Sequence, residues 1–438
     1  MRERICLSLL AFTFTQVHAS DLISVYQDAQ NSSPILTGDH ATNQASNAEI
    51  PFAIGALLPQ VAVTGNVAYN TFAQGGFNTS YSSDGYALTL TQPIFNYTAF
   101  AAMVDVKYTA DASDATYQSQ TQNFTLTVAE DYFAVLQAED NVAFAEAQLK
   151  SLDTTLTQTK QKFEVGVATF TDVAQAEANQ ESAAATLVQN QNILADSNQT
   201  LREYTGKLET NLAIVKKDFP FVPPVPNQIK AWVDQALLHN PILISQHDTT
   251  KAALANVNVK VGNQLPTVSL VASYGQTFYR DDVSPAVAPL GPYEDNATIS
   301  LELNWTLFNG GELMSSSLQA ANQYASSQDT ELNLYRQTKS NVTNDFFSVL
   351  SAQSEVKANK QAVRSAQITL DSYNAKYKVG TATIVDVLNA TQILYQDESN
   401  LAAAEYQYID SWLQLKYDAG NLNEQDLLAL NQYLQVTQ

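Results

Sequence analysis

The two halves of this chain of 438 residues repeat one another, and this self-similarity limits the possible folds more than any other feature. The Leu-Pro pair at 58–59 returns at 265–266, a spacing of 207 residues. Further along, Lys162–Gly166 returns as Lys376–Gly380, and the spacing has grown to 214. We place most of the extra residues of the second copy between its strands, because a surface loop absorbs an insertion at little cost. The repeat indicates one structural unit used twice.

Each half contains two segments in which apolar and polar residues alternate with a period of two, which predicts strands with two different faces. The predicted strands are 60–71 and 86–96 in the first half, and 267–278 and 297–308 in the second half. Their length is close to the roughly 9 to 11 residues of a tilted transmembrane strand. A soluble β-sandwich would show the same alternation, and it is the alternative for these segments.

Four strands are too few to close a barrel, and an open sheet edge in lipid leaves backbone groups unpaired at a cost of several kcal/mol each. The sequence therefore predicts a barrel shared between chains. Known barrels start at about eight strands, so a dimer, a trimer and a tetramer all remain possible. The segments 72–85 and 279–296 join the strands of each pair and are predicted to be loops that face outside the cell.

The rest of each half carries apolar residues at a seven-residue spacing, which predicts helices that supercoil against their neighbours. The segment 98–164 would span roughly 100 Å as a helix, whereas the returning segment 172–205 is about half as long. The segments 34–57 and 241–264 can supply the missing length by lying end to end with the returning helices. An ordinary antiparallel bundle is the alternative. The repeated positions of the first long segment are Val128, Val135, Val142, Leu149, Leu156 and Phe163.

The first 19 residues have the features of a cleavable secretory signal: Arg2 and Arg4 precede an apolar core, and a small residue, Ala19, stands at the end. Together these patterns predict an α+β membrane protein, with an antiparallel β-barrel, a long α-helical coiled-coil barrel and a small mixed equatorial belt. The expected order is a signal peptide (1–19), a first repeat (20–206), a proline-rich crossover (207–227), a second repeat (228–420) and a C-terminal tail (421–438) that joins the belt.

The charge of the chain argues against nucleic-acid binding, and its motifs argue against an enzyme. The chain has 44 acidic and 22 basic residues, a formal net charge of −22, and this charge opposes the phosphate backbone of nucleic acids, which is bound by clustered Lys and Arg. No HExxH, GxSxG or phosphate-binding glycine motif is present, and the lone cysteine, Cys6, lies in the predicted signal peptide. We therefore predict no enzyme, and no catalytic residue, cofactor or metal site.

Each half turns sharply between its two long helical segments, at a first tip (165–172) and a second tip (379–386). Gly166 and Gly380 are suited to end the preceding helix in a left-handed conformation. The pairs Thr169 with Asp172 and Thr383 with Asp386 match the [ST]-x-x-[DE] pattern that begins a helix. Helix capping alone would explain why these residue types occur.

A second interpretation of Asp386 depends on its position. In a closed ring of chains, this carboxylate would recur once per chain where a tunnel narrows. The repulsion between such carboxylates favours the entry of cations and opposes that of anions.

The segment Tyr377–Leu388, which contains the second tip, and the tail segment Gly420–Leu430 carry a family resemblance. Through them, and over nearly the whole mature chain, the sequence resembles the TolC family of trimeric outer-membrane efflux ducts. The resemblance implies a homotrimer in outer-membrane lipid, with a shared 12-stranded barrel and a twelve-helix tunnel through the periplasm. It also implies two protein partners, a periplasmic adaptor (membrane fusion) protein and an inner-membrane pump of the RND or ABC type.

The resemblance also implies roles for residues of the tips. It places a periplasmic gate of carboxylates at Asp386 and at position 389, where this chain has Asn389. It places a tip lock at Thr171, Asp172 and Tyr377, with Ala382 where an arginine would be expected. We therefore expect a less tightly locked resting state and weaker cation selectivity than a gate with two acidic rings would give. The adaptor contact is assigned to Val165, Gly166, Val167, Val379, Gly380 and Thr381.

The function implied is a passive exit duct for multidrug efflux and type I protein secretion, opened at its periplasmic tip by an adaptor and a pump. An outer-membrane coiled-coil adhesin or spacer is the alternative, since it would share the heptads and the strands. The sequence does not distinguish a drug exporter from a protein secretion system.

Overall fold

The computed structural model describes residues 20–74, 77–280 and 293–435. The predicted signal peptide, 1–19, lies outside the described residues, as do residues 281–292 of the second predicted loop.

Within the described ranges, none of the helices combines the length and the apolar character that crossing a bilayer demands.

The elements of the two halves follow the same order. The first half contains α1 (Leu22–Ser32), α2 (Pro34–Gly55), β1 (Gln60–Gln74), β2 (Phe77–Phe95), α3 (Tyr97–Glu164), α4 (Phe170–Thr205) and β3 (Ile214–Val215). The second half contains α5 (Ile229–His239), α6 (Pro241–Gly262), β4 (Thr267–Arg280), β5 (Tyr293–Asn304), α7 (Glu312–Lys378) and α8 (Ile384–Asp418). The tail adds α9 (Glu424–Asn431) and β6 (Leu434–Gln435).

These elements form two compact units. The helical unit consists of the described residues of Met1–Leu36, Thr121–Ala236 and Ser340–Gln438. The sheet unit consists of those of Thr37–Gln120 and Leu237–Lys339.

The sheet unit contains one four-stranded antiparallel sheet in the order β1-β2-β4-β5. Among the described strands, neither β1 nor β5 has a partner on its outer side. Alternate residues place an apolar face on both edge strands, and this face is exposed: Val67 of β1 is 85% exposed and Ile299 of β5 is 80% exposed. Among the residues that the structure describes, the outer backbone groups of the two edge strands and the exposed apolar face of the sheet therefore lack partners.

The predicted loop 72–85 is wrong, because the structure extends both strands through it, to Gln74 in β1 and from Phe77 in β2. The apolar alternation on which the prediction rested stops near residue 71, but the ladder of backbone hydrogen bonds does not need apolar side chains. Polar side chains pair across the extension instead. Asn70 Nδ2 donates to Ser83 Oγ over 2.9 Å, and the hydroxyls of Thr71 and Ser80 lie 3.2 Å apart.

The last predicted strand is shifted: β5 spans Tyr293–Asn304, not 297–308. Its register explains the end, since Asn304 pairs with Thr267, which is the first residue of β4. Residues 305–308 therefore have no strand opposite them. Trp305 instead donates its ring N–H to the carbonyl oxygen of Gln264 over 3.0 Å.

Gly262, at the end of α6, is a point of close packing in the sheet unit. A Cβ added there would lie 2.8 Å from Thr98 Oγ1 and 3.0 Å from both the Thr98 nitrogen and its Cα. The repeat-related Gly55 has no atom within 4 Å of such a Cβ. The duplicated sequence therefore has one crowded glycine and one free glycine at equivalent helix ends.

We expect Gly262→Ala to destabilise the protein by roughly 1–3 kcal/mol, because backbone atoms of Thr98 would have to shift. Gly55→Ala is the matched control, and it should be neutral or slightly stabilising because alanine favours helix. Thermal unfolding of the purified variants, followed by circular dichroism, measures both. Equal melting temperatures for Gly262→Ala and the parent chain would contradict the expectation.

The helical unit contains one buried cluster between α7 and α8 and another between α3, α4 and α8. The predicted seven-residue positions Val128 and Val135 of α3 are fully buried, as are their repeat equivalents Val342 and Val349 of α7. Towards the end of α3 the predicted positions are less buried within the chain: Leu149 is half-buried and Phe163 is 45% exposed. The fully buried residues there lie one turn earlier in each heptad: Ala138, Ala145, Leu152 and Thr159.

The cause of this shift is the set of neighbours within the chain. Leu152 packs with Ala183 of α4 and with Ile384 and Leu388 of α8. Leu149 of the heptad seam is half-buried and packs against the same cluster, so the seven-residue spacing identified only part of this face.

The crossover and the tail pack together in the helical unit. Val215 of β3 pairs with Leu434 of β6. Tyr408 of α8 donates its hydroxyl to the carbonyl oxygen of Val222 over 2.7 Å and accepts from the Val222 amide over 3.1 Å. These contacts attach the proline-rich crossover to α8.

Several carboxyl groups are buried in the helical unit. Burial, with a smaller contribution from the nearby Glu130, raises the pKa of Asp410 to about 7. Burial beside Glu203 raises the pKa of Asp131 to about 6. Among the residues that the structure describes, one carboxyl oxygen of each group has no hydrogen-bond partner. The fold therefore favours the protonated form of both groups more than the unfolded chain does.

The contribution of Asp410 to the stability of the protein should fall as pH rises from about 4 to about 7. Between the ordinary pKa of 3.8 and the raised pKa of about 7, folded Asp410 keeps a proton that the unfolded chain has released. We expect Asp410→Asn to stabilise the protein at pH 8 by on the order of 1–3 kcal/mol, seen as a higher melting temperature, and to stabilise it less than half as much at pH 5. Melting curves at the two pH values test this. Asp397→Asn, on the same helix, is the control, and an equal effect of both changes would contradict the assignment.

Candidate functional site

The two tips lie in the helical unit, and each is closed by the hydrogen bonds of a helix C-cap. At the first tip, Gly166 has φ +77°, and the amides of Val167 and Ala168 donate to the carbonyl of Lys162 over 2.8 and 3.2 Å. At the second tip, Gly380 has φ +80°, and the amide of Thr381 donates to the carbonyl of Lys376 over 2.9 Å. The left-handed glycine predicted for each helix end is therefore present at both tips.

Each returning helix begins with a complete capping box. Thr383 Oγ1 accepts from the Asp386 amide over 3.2 Å, and the Asp386 carboxylate accepts from the amide and hydroxyl of Thr383 over 2.8 and 2.7 Å. Thr169 and Asp172 repeat the arrangement with corresponding distances of 3.1, 2.8 and 2.8 Å. Both aspartates therefore act as caps, as the sequence pattern predicts.

The capping bonds also determine the charge of the predicted gate residue. The hydrogen bonds from Thr383 hold the pKa of Asp386 below its usual range, and the charge of Lys376 acts in the same direction. Asp386 is thus ionised at neutral pH and remains so in mildly acidic solution. Asn389 lies three residues further along α8 and is exposed, so the two predicted gate positions share one face of the helix.

The six predicted adaptor-contact residues lie at the apex of the tips and are exposed. The exposed fraction is 73% for Val165 and Val167 and 74% for Val379. A Cβ added to Gly166 or Gly380 would have no atom within 4 Å. Each apex therefore offers a small patch of backbone and apolar side chain that no described residue of this chain covers.

The structure does not join the predicted tip-lock residues to one another within the chain. Asp172 is engaged by Thr169, and Thr171 is exposed. In the described part of the chain, no hydrogen bond links Tyr377 to either residue. Tyr377 instead packs against two clusters of buried residues. One lies between α7 and α8 and includes Val387, and the other lies between α3, α4 and α8 and includes Leu388.

The structure brings to the tips one residue that the sequence reasoning did not select, Lys162. Its Nζ lies 3.4 Å from the centroid of the Tyr377 ring and 3.5 Å from the Tyr377 carbonyl oxygen. The available signal was the repeat itself, since Lys162 and Lys376 are equivalent basic residues in the last turns of α3 and α7.

Comparison with known proteins identifies the family. The model of the family described as outer membrane efflux protein matches residues 25–207 and 232–421. The chain is 33% identical to the outer membrane protein TolC of Salmonella enteritidis over 434 residues, which cover 98% of this chain and 87% of that protein. It is 29% identical to the alkaline protease secretion protein AprF of Pseudomonas aeruginosa over 387 residues, 85% of this chain and 78% of that protein.

A solved structure shows the same fold. The outer membrane protein VceC of Vibrio cholerae has a TM-score of 0.80 at 18% identity, over 91% of this chain and 96% of that chain. These matches confirm the predicted resemblance, the class of fold and the outer-membrane localisation. Since the family model covers most of the chain, and TolC is 33% identical over nearly all of it, the chain belongs to the outer membrane efflux protein family, whose members are outer-membrane channels.

Proposed function

We propose that three copies of this chain form a passive exit duct, which spans the outer membrane as a shared twelve-stranded barrel and continues through the periplasm as a helical tunnel. The observation that carries the proposal is the sheet with two open edges. β1 and β5 end the order β1-β2-β4-β5, and the exposed apolar residues of both strands suit contact with lipid. Pairing β5 of one copy with β1 of the next satisfies both edges, and repeating the step closes a barrel.

The two-repeat organisation supports the tunnel part of the proposal. Each repeat contributes a long helix and shorter helices, and the crossover (207–227) and tail (421–438) form the equatorial belt. The predicted domain order, including a signal peptide at 1–19, is part of this proposal.

The tips are the proposed contact with the machinery that supplies energy. A periplasmic adaptor protein would bind the exposed apex residues Val165, Gly166 and Val167 of the first tip, together with Val379, Gly380 and Thr381 of the second. An inner-membrane pump, of the RND or the ABC type, would drive the cargo. The names of the relatives fit both uses, since AprF is a protease secretion protein and the family is one of efflux proteins.

The gate proposal assigns Asp386 to one ring of carboxylates, with Asn389 at the uncharged position beside it. Thr171, Asp172 and Tyr377 are proposed as the tip lock. Family and fold are those of passive channels and not of enzymes. We also propose that this chain has no catalytic activity or cofactor of its own and does not bind nucleic acid.

Native mass spectrometry and planar-bilayer recording of the purified mature protein test the duct directly. We expect a trimer that inserts into bilayers and conducts ions. A stable monomer without pore-forming ability would overturn the proposal. Deleting the gene and measuring both drug sensitivity and export of a protein toxin would then identify the cargo.

A further inference from the structure

Lys162 and Tyr377 form a contact between the two helical hairpins of one chain, and we call this pair the tip clasp. Lys162 lies in the last turn of α3, and Tyr377 lies in the last turn of α7, 215 residues away. The ammonium stands 3.4 Å above the ring, well inside the distance at which a cation is attracted by an aromatic face. The same Nζ lies 3.5 Å from the carbonyl oxygen of Tyr377.

Two features make this contact more than a chance approach of an exposed lysine. The Tyr377 ring is half-buried and packs against the residue clusters of both hairpins, which fixes the direction of its free face. The carbonyl of Tyr377 belongs to the last turn of α7, where the helix dipole favours a positive charge. The ring and the helix end therefore attract the ammonium to the same place.

The clasp is not a by-product of the internal repeat. The equivalent of Lys162 is Lys376, whose Nζ lies 5.4 Å from the ring of Tyr373 in its own helix. The equivalent of Tyr377 is Phe163, whose ring meets Phe170 of its own hairpin at a centroid distance of 6.4 Å. Lys162 and Tyr377 therefore join the two hairpins, whereas the equivalent residues, Lys376 and Phe163, each contact a residue of their own hairpin.

We propose that Lys162 is a positioning residue of the gate, which keeps the two hairpins of each chain together while the duct is closed. The inference rests on the proposed duct, in which opening requires hairpins to move apart at their tips. Separation of α3 from α7 removes the ammonium from the ring and from the carbonyl at once. The clasp therefore favours the closed arrangement and must be broken on opening.

Single-channel recording in planar bilayers tests the clasp. Lys162→Gln removes the charge, and Tyr377→Leu removes the aromatic face but keeps the charge of Lys162. We expect either change to raise the open probability at least roughly five-fold, the factor that corresponds to losing one such contact, since each variant removes one contact from every copy of the chain. In the Tyr377→Leu background, Lys162→Gln should add little further opening, because the interaction that it removes is already lost.

Two further variants separate the clasp from loss of charge and from loss of stability. Lys162→Arg keeps a cation over the ring and should record like the parent chain. Lys160→Gln removes a lysine two residues away that pairs with Glu177 across its own hairpin over 3.5 Å, and it should not open the channel. Melting temperatures verify that all variants are folded.

Three results would overturn the clasp: unchanged gating in Lys162→Gln, unchanged gating in Tyr377→Leu, or equal opening in Lys160→Gln. In each of these the parent chain still forms pores, so the proposed duct stands. A parent chain that forms no pores would overturn the duct, and with it the clasp.

Discussion

Replacing Gly380 with leucine is expected to abolish efflux while the protein still assembles and inserts in the outer membrane. The glycine has φ +80° at the apex of the second tip, and an added Cβ would meet no atom of this chain within 4 Å. The leucine side chain would therefore project into the space that we assign to the adaptor. Small residues at that point allow another helical hairpin to approach closely, and a bulky side chain prevents it.

The backbone strain of the substitution needs its own control, because a non-glycine residue in the left-handed region costs roughly 1–2 kcal/mol. Gly310 provides it. This residue lies between β5 and α7 with φ +70° and also has no atom within 4 Å of an added Cβ. Gly310→Leu should carry a similar strain in the sheet unit and leave transport intact.

The measurement is accumulation of a fluorescent efflux substrate in cells that express each variant, alongside the amount of trimer in the outer-membrane fraction. Gly380→Leu should match the gene-deletion strain in accumulation and the parent in membrane content. Transport at the parental rate in Gly380→Leu would remove Gly380 from the adaptor contact. Gly166→Leu offers the same test at the first tip, where φ is +77°.

The sequence was sufficient wherever the structure follows from local rules. The C-cap glycines at 166 and 380 and the capping boxes at Asp172 and Asp386 depend on residues within one or two turns, so pattern and spacing identify them. The strand pairs were found because one face of each strand is apolar. Their extension to Gln74 and Phe77 was missed because polar side chains carry no such signal.

Contacts between distant segments could not be predicted from spacing. The second buried face of α3 depends on which helices pack beside it, and Leu152 finds its partners Ile384 and Leu388 more than 200 residues away. Lys162 and Tyr377 are likewise joined only by the fold. The repeat made Lys162 visible as a basic residue near a tip, but its aromatic partner lies on the other hairpin.

The charge at position 386 is expected to determine the ion preference of the channel, and changing it in both directions gives a strong test. Asp386→Asn keeps an oxygen that can accept from the Thr383 amide, which now donates over 2.8 Å, so the cap survives while the charge is lost. Asn389→Asp adds a second carboxylate one turn further along the same face of α8. The first change should lower the preference for cations over anions, and the second should raise it, each by about ten-fold at low salt.

Reversal potentials across bilayers in asymmetric KCl measure this preference. The effect should shrink between 0.1 M and 1 M salt, since the screening length falls from about 10 Å to about 3 Å. In the parent channel the cation preference should persist into mildly acidic solution, because the hydrogen bonds from Thr383 hold the pKa of Asp386 below its usual range.

Asp426→Asn is the matched control, because Asp426 closes the capping box of α9 with Asn423 in the same way and lies in the tail. It should leave the ion preference unchanged. If Asp386→Asn left both conductance and ion preference at parental values, the carboxylate would be a helix cap and nothing more, and the narrowest point of the duct would have to lie elsewhere. A rise in cation preference in Asn389→Asp would place this face of α8 at the narrowest point of the duct. Asn389 takes no part in the capping box, so a changed cap could not explain such a rise.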